Sequence, residues 1–137
     1  MLGGAGYSFP KDYLTKYPNA TLDVVEIDPG VTALAKKYFA LEDHPNLTIY
    51  HEDARVFLNQ NTKKYDAILG DAFSSWYLVP YQLTTEEAIR RQYDSLSLSG
   101  AVILNIVSSI EGEMGEFLRA EYKTYKKVFP QVYLLPV

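Results

Sequence analysis

The sequence predicts an α/β fold with a doubly wound, mostly parallel sheet, and two observations support this. Short apolar runs rich in β-branched residues alternate with stretches of helical periodicity along the chain. The runs are almost continuously apolar, which is typical of parallel strands buried on both faces. The chain has 137 residues, with no internal repeat and no linker. We therefore expect a single domain over residues 1–137.

Each predicted element has its own signal. The strands are the apolar runs "LDVVEI" (22–27), "LTIY" (47–50), "DAILG" (66–70), "AVILNIV" (101–107) and "VYLLPV" (132–137). Apolar residues fall on one helical face in 31–39 and again from Met114 to Val128. A further helix follows "TTEE", where Thr84 or Thr85 is a suitable cap.

Composition excludes several classes of function. The 13 basic and 17 acidic residues give a net charge of −4, so a general nucleic-acid binder is not expected. The chain has no cysteine and two histidines, which argues against disulfides, cysteine nucleophiles and a bound metal. The sequence has neither a run long enough to cross a membrane nor a leader pattern, so we expect no membrane partner and a cytoplasmic location.

Polar residues gather where the predicted strands end. The segments that follow the strands read "GGAG", "EID", "HED", "GDAFSS" and "NIVSS", and three of them carry carboxylates. In doubly wound sheets, ligands bind beyond the carboxyl ends of the strands. This clustering predicts a ligand site at that edge of the sheet.

The glycine-rich turn near the start is one part of the predicted site. "GGAGYS" is an incomplete G-x-G-x-x-G, because Phe9 stands where the third glycine would be. Glu26 comes 20 residues after Gly6, at the end of the next strand. An acid at about this spacing accepts hydrogen bonds from a ribose diol. The alternative is a tight turn and a solvated strand end, but spacing and strand context favour a nucleoside site.

The other acids have more than one interpretation. Asp28 before Pro29 is explained by helix capping alone. Asp53 either caps the helix "ARVFLN" or accepts a hydrogen bond from an adenine amine, and both roles stay open. His44 and His51 are expected to be solvated at the surface.

Asp71 leads into a long connection, "AFSSWYLVPYQLT" (72–84), and connections of this length are more often functional than idle. Its aromatic residues either line a ligand site or pack beneath the loop. These aromatic residues are Trp76, Tyr77 and Tyr81.

Asn105 interrupts an apolar strand and needs a hydrogen-bond partner.

Several motifs together resemble the spermidine synthase family, within the Rossmann-like class I S-adenosylmethionine-dependent methyltransferase fold. They are "LGGAGYS", "VVEIDPGVTALAKKYF", "HEDARVFL", "YDAILGDAFSS", "VPYQLTTEEA" and "YDSLSLSGAVILNI", and the resemblance covers about residues 2–137. It implies that S-adenosylmethionine, or its decarboxylated form, binds at the strand ends. The residues implied are Gly3, Gly4 and Gly6 for the methionine end, Glu26 for the ribose, and Asp53 with the Ala54 backbone for the adenine.

Two departures from the family pattern bear on the reaction. Gly6 stands where aminopropyltransferases of the family have an acid, and Ser74 stands where they have the second Asp of D-[ST]-[ST]-D. A serine neither attracts a cationic polyamine nor acts as a base near neutral pH. These departures favour ordinary S-adenosylmethionine and methyl transfer to a small-molecule acceptor, with Asp71 and Ser74 at the reacting centre.

Two alternatives remain. One is a polyamine aminopropyltransferase that uses decarboxylated S-adenosylmethionine. The other is a nucleoside-binding or assembly domain without catalysis.

Only Met1 and Leu2 precede the glycine turn, and the family's N-terminal β domain and closing hairpin are absent. Two residues are too few for a normal strand. We therefore expect that Met1 and Leu2 do not fill the central slot of the sheet and that the chain is a fragment. Residues upstream of Met1, closure of the gap with a shifted sheet, or pairing with a partner chain would complete the sheet. These 137 residues alone are expected to form a homodimer or a poorly stable monomer.

Overall fold

The computed structural model describes residues 1–72 and 79–136. The strands are β1 (Leu22–Val25), β2 (Leu47–Tyr50), β3 (Tyr65–Gly70) and β4 (Leu96–Leu104). The α-helices are α1 (Ser8–Lys16), α2 (Pro29–Tyr38), α3 (Ala54–Gln60), α4 (Glu86–Asp94) and α5 (Glu116–Val128). Two single 3-10 turns lie at Tyr81–Leu83 and Glu113–Gly115.

Leu2 occupies the centre of the sheet. β1 pairs in parallel with β2, and β3 pairs in parallel with β4. Leu2 bridges the two pairs, because it is the parallel partner of both Val25 and Gly70. The order across the sheet is therefore β2, β1, Leu2, β3, β4, as predicted for a doubly wound parallel fold.

The expectation that Met1 and Leu2 leave the central slot unfilled is wrong. Toward β3, the Leu2 N–H donates to Leu69 O (2.8 Å) and Leu2 O accepts from the Asp71 N–H (3.0 Å). Toward β1, Met1 O accepts from the Val25 N–H (2.9 Å), and the Gly3 N–H donates to Val25 O (2.8 Å). Because β1 has only four residues, a three-residue segment supplies enough partners at this point.

The other strands differ from prediction at their ends. β2 has the predicted bounds, whereas β1 ends two residues early and β4 begins at Leu96 rather than at residue 101. The strand predicted at 132–137 is wrong for 132–136, which contain no strand residue. An apolar run adopts strand geometry only with a pairing neighbour, and β4 pairs with β3 alone among the described strands.

The core lies on both faces of the sheet. Val24 and Val25 are adjacent in β1, so their side chains point to opposite faces. Val25 packs with Leu58 of α3 on one face, and Val24 packs with Ala35 of α2 on the other. No helix within residues 1–72 and 79–136 is long and apolar enough to cross a membrane.

Candidate active site

Contacts within the protein fix the backbone conformation of the glycine turn. Gly3, Ala5 and Tyr7 have φ values of 88°, 44° and 54°, in the left-handed region. A Cβ at Gly3 would lie 2.6 Å from the carbonyl oxygen of Asp71, and one at Gly4 would lie 2.6 Å from the Tyr7 ring. The fold itself therefore requires glycine at both positions.

Gly6 differs from the other two glycines. A Cβ there would meet the Phe39 ring at 3.6 Å, an ordinary van der Waals contact. Packing within the protein therefore does not require glycine at this position. Close approach of a ligand to the backbone would require it.

Glu26 lies directly beneath the turn and is only 8% exposed, so it is not a solvated strand end. Its Oε2 accepts from the N–H groups of Gly4 (2.9 Å) and Ala5 (3.3 Å), and Oε1 accepts from the Asp28 N–H (3.0 Å). Consecutive backbone N–H groups that converge on one anion form a nest. A carboxylate offers about four acceptor positions, so one remains for a ligand hydroxyl.

Asp53 caps α3, as one of its two interpretations predicted. Its Oδ1 accepts from the N–H groups of Arg55 (2.8 Å) and Val56 (3.1 Å). Its Oδ2 accepts from Nε2 of Gln82 (3.2 Å). The Ala54 N–H has no hydrogen-bond partner within the described part of the chain. The adenine role of Asp53 and Ala54 remains a prediction.

Gln82 is a residue that sequence reasoning missed. The Arg55 guanidinium donates to Gln82 O (3.0 Å) and to Thr85 Oγ1 (2.9 Å). These bonds join the end of the long connection to the start of α3. The signal was a polar residue in "VPYQLTT", but nothing in the sequence indicated that its partner is Asp53.

Asp71 and Asn105 meet at the ends of neighbouring strands. Asp71 follows β3 directly, Asn105 follows β4, and Asn105 Nδ2 donates to Asp71 Oδ1 (3.0 Å). Asn105 therefore has the expected hydrogen-bond partner, but it lies just beyond the strand and is exposed, not inside an apolar strand as predicted. The Asp71 carboxylate is half-buried, and its second oxygen accepts no hydrogen bond from the residues that the structure describes.

Ser74, Trp76 and Tyr77 lie outside the described residues, so the predictions for them stay predictions. Tyr81 is 82% exposed, so it does not pack beneath the loop, and its role at a ligand site stays a prediction. Within residues 1–72 and 79–136 no group of three or more histidine, aspartate or glutamate side chains could hold a metal ion.

A buried tyrosine supports the turn from below. Tyr7 is fully buried, and its hydroxyl lies 2.7 Å from Thr32 Oγ1. The same Thr32 oxygen lies 3.0 Å from Nε2 of His51, which is exposed as predicted. Burial is the main cause of the raised pKa of Tyr7. Sequence reasoning missed this chain of contacts; its one signal was a large aromatic residue directly after the glycines.

These strand-end residues can be compared with known proteins. The family model for the spermine/spermidine synthase domain matches residues 8–137. This chain belongs to the spermine/spermidine synthase family. Among curated relatives, it is 34% identical over 136 residues to the polyamine aminopropyltransferase of Vibrio vulnificus (strain CMCP6). That match covers 97% of this chain and 44% of the relative, so the chain spans less than half of the relative's length.

Solved structures confirm the fold of this family member. Human methyltransferase-like protein 13, solved with SAH, superposes with a TM-score of 0.84 at 23% identity, covering 96% of this chain and 62% of that one. A spermidine synthase solved with the transition state analogue AdoDATO superposes with a TM-score of 0.74 at 21% identity, covering 95% and 43%. The chain therefore has the Rossmann-like class I methyltransferase fold.

Proposed function

We propose that this domain binds decarboxylated S-adenosylmethionine and transfers its aminopropyl group to an amine. The observation that carries the nucleoside site is Glu26, a buried carboxylate at the end of β1 that the glycine turn encloses with two consecutive N–H groups. The polyamine aminopropyltransferase name of the Vibrio relative, and of most other curated relatives, supports the choice of aminopropyl transfer.

The described residues fit a bound adenosyl group. Glu26 has an acceptor position left for a ribose hydroxyl, and the Ala54 N–H is available to an adenine nitrogen. The fold would tolerate a Cβ at Gly6, and the lack of one leaves room for the ligand. Asp53 would act mainly by holding Ala54 in place, because its carboxylate already accepts three bonds. When bound, the nucleoside supplies a carbon attached to a positively charged sulfur, which leaves as a neutral thioether.

Asp71 is the residue we assign to the acceptor amine. An alkylamine is an ammonium ion near neutral pH and attacks only after it loses a proton. The carboxylate of Asp71 attracts that cation and can take up its proton. Asn105 donates to one oxygen, and we assign the amine to the other, which accepts no hydrogen bond from the described residues. The rest of the rate acceleration comes from positioning, because the attacking nitrogen must approach in line with the bond that breaks.

Methyl transfer from S-adenosylmethionine is the second candidate. A specific observation favours it, which is the absence of any acid from Met1 to Pro10. An acid at the turn would repel the carboxylate that S-adenosylmethionine retains and that its decarboxylated form lacks. The replacement of the second family aspartate by Ser74 points the same way.

One experiment separates these readings. The chain is incubated with putrescine and either decarboxylated or ordinary S-adenosylmethionine, and products are identified by mass spectrometry. Spermidine formation supports the proposal, and a methylated acceptor with the ordinary nucleoside would replace it by the second candidate.

Calorimetry with both nucleosides tests binding alone. Glu26→Ala should weaken nucleoside binding at least tenfold. Glu42→Ala, which removes an exposed acid, should not. If neither nucleoside binds, the domain is not a transferase of this kind.

A further inference from the structure

Three side chains connect the surface at the end of β2 with the buried underside of the glycine turn. The Tyr7 hydroxyl lies 2.7 Å from Thr32 Oγ1, and the same oxygen lies 3.0 Å from Nε2 of His51. Tyr7 and Thr32 are buried, whereas His51 is exposed to solvent. A change of charge at the surface can therefore reach the turn through these contacts.

The direction of the two hydrogen bonds follows from the partners that each hydroxyl has. Tyr7 is fully buried, and Thr32 is the one acceptor for its hydroxyl among the described residues. The pKa of Tyr7 is raised mainly by burial, so the hydroxyl keeps its hydrogen near neutral pH and donates it to Thr32. Thr32 then donates its own hydrogen to Nε2 of His51. Neutral His51 therefore accepts at Nε2 and carries its hydrogen on Nδ1.

Thr32 differs in this respect from two other helical threonines. The hydroxyls of Thr15 and Thr124 donate to the backbone carbonyl four residues earlier in their own helices, at 2.8 Å and 2.9 Å. Both contacts of Thr32 Oγ1 within the described part of the chain are with side chains. Its hydrogen therefore has no second acceptor there when the first is lost.

Protonation of His51 removes that acceptor. A histidine side chain can change its charge between pH 5 and 8, and its cation donates from both nitrogens. Thr32 Oγ1 would then accept from Nε2, and the hydrogen of either Thr32 or Tyr7 would be left without an acceptor in the interior. The Tyr7 ring lies directly beneath Gly4. Because an unmade hydrogen bond of a buried group is costly, the charged form of His51 opposes the packing of the turn.

We propose that His51 is a positioning residue through which pH controls nucleoside binding. Its neutral form supports the glycine turn through Thr32 and Tyr7, and its charged form displaces the turn. The proposal rests on the proposed function, because it concerns regulation of the same nucleoside site. It predicts that nucleoside affinity falls as pH falls and His51 takes up a proton.

Other charged groups lie on the elements that meet here, and the substitution His51→Gln leaves all of them in place. It puts an amide oxygen, which accepts a hydrogen bond but does not titrate, within reach of Thr32. Any pH dependence that the other charged groups cause would persist in this variant. These groups are Glu26 after β1, Asp28 before α2, Lys36 and Lys37 in α2, and Glu52 and Asp53 after β2.

His44 is the matched control, because the chain has two histidines and both are exposed. Nδ1 of His44 accepts from the Asn46 N–H (3.1 Å), so its neutral form carries the hydrogen on Nε2. The two histidines are therefore expected to be opposite tautomers at pH 8. The nitrogen NMR shifts of the two rings distinguish them.

The binding test uses 5′-methylthioadenosine, which carries no charge in this pH range, and calorimetry on the full chain at pH 8 and pH 5.5. Wild type and His44→Gln should bind it about tenfold more weakly at the lower pH, the effect of one unmade buried hydrogen bond. His51→Gln should bind as wild type does at pH 8 and change by less than about twofold between the two pH values. Tyr7→Phe, which lacks the hydroxyl, should lose the pH dependence as well.

NMR without nucleoside is the independent readout. In the wild type, the Gly4 and Ala5 amide signals should shift with the same midpoint as the His51 ring, and in His51→Gln they should not shift. The proposal is overturned if His51 carries its hydrogen on Nε2 at pH 8, if the turn amides do not follow His51, if wild type binds equally at both pH values, or if His51→Gln keeps the pH dependence. If the amides follow His51 but the nucleoside binds at neither pH, the proposed function is overturned and the coupling of His51 to the turn stands.

Discussion

Glu26 and Glu121 are buried to the same degree, at 8% and 7% exposure, but their surroundings differ in every other respect. Glu26 accepts three hydrogen bonds from backbone N–H groups, whereas Glu121 accepts none from the residues that the structure describes. A buried carboxylate with enough donors stabilises the fold around it, and one without donors destabilises the fold until a ligand supplies them.

The contrast extends to the regions around the two acids. Around the glycine turn, backbone groups from Leu2, β1 and β3 bond to one another and leave little freedom. Around Glu121, side chains of α4 and α5 enclose open space. We infer that the first region is preorganised for the nucleoside, whereas the second has a buried acid without donors from the described residues.

The largest expected effect is that of Gly3→Ala. The new Cβ would lie 2.6 Å from a backbone oxygen, and the residue has a φ of +88°. Because the Asp71 backbone is held by the bond from its N–H to Leu2 O (3.0 Å), it cannot shift freely away from the new Cβ, and we expect a loss of about 3 kcal/mol or more in the free energy of unfolding, measured in urea. Gly112→Ala is the matched control, since its φ is +67° but nothing described lies within 4 Å of the added Cβ. It should cost less, about 1–3 kcal/mol, which is the backbone strain alone at a φ of 67° and a ψ of −169°. Equal losses would mean that the turn is not tightly packed.

Glu26→Ala comes next. It leaves three N–H donors without their acceptor, one in a buried and two in partly buried hydrogen bonds, and we expect a loss of about 1–3 kcal/mol in urea unfolding at pH 7. Glu26→Gln should cost less, because the amide oxygen still accepts from the turn. Glu42→Ala should change stability by less than about 0.5 kcal/mol. A Glu26→Ala protein as stable as this control would show that the three bonds do not hold the turn.

Some features of the two regions could be predicted from the sequence, and others could not. The Asp53 cap and the bounds of β2 were predictable, because both rest on neighbouring residues. Two of the three donors to Glu26 were not, because they come from a turn more than 20 residues earlier. Leu2 was also missed, since two residues carry no periodicity from which pairing can be predicted.

Glu121 did have a signal in the sequence. It lies three residues after Leu118 and four before Tyr125, both buried, so it shares the apolar face of α5. A charged residue on such a face is rarely buried unless it is paired. The sequence does not show whether Glu121 has a partner, because the residues packed around it come from elements distant in sequence.

Glu121→Gln should have an effect of opposite sign to that of Glu26→Ala. The pKa of Glu121 is about 7 in the folded protein and about 4.5 when unfolded. As pH rises from 4.5 to 7, the unfolded state therefore loses its proton first and wild-type stability falls. The variant lacks this loss and should be more stable by on the order of 2 kcal/mol at pH 8, after allowance for solvent screening. Tyr125, the other titratable group among the described residues that line the space beside Glu121, has a pKa raised mainly by burial and stays neutral in this range.

Urea unfolding of wild type and Glu121→Gln at pH 5 and pH 8 checks the prediction. The difference between the two proteins should shrink at the lower pH, and Glu116→Gln, which removes an exposed acid from the same helix, should show no such dependence. A Glu121→Gln protein that is less stable than wild type at pH 8 would mean that the carboxylate has donors after all. The two regions would then be alike.

The smallest expected effect is that of Tyr7→Phe, which tests what holds the glycine turn. The Tyr7 ring lies directly beneath Gly4, and its hydroxyl contacts Thr32. The variant keeps the ring and loses one buried hydrogen bond, so we expect a loss of about 1 kcal/mol in the free energy of unfolding. Tyr13→Phe removes a hydroxyl that makes no hydrogen bond to any described residue and should cost less. If the ring alone positions the turn, nucleoside affinity of Tyr7→Phe, measured by calorimetry, should stay within about twofold of wild type. A larger loss would make the contact from Tyr7 through Thr32 to His51 part of the preorganised region, extending it to the end of β2.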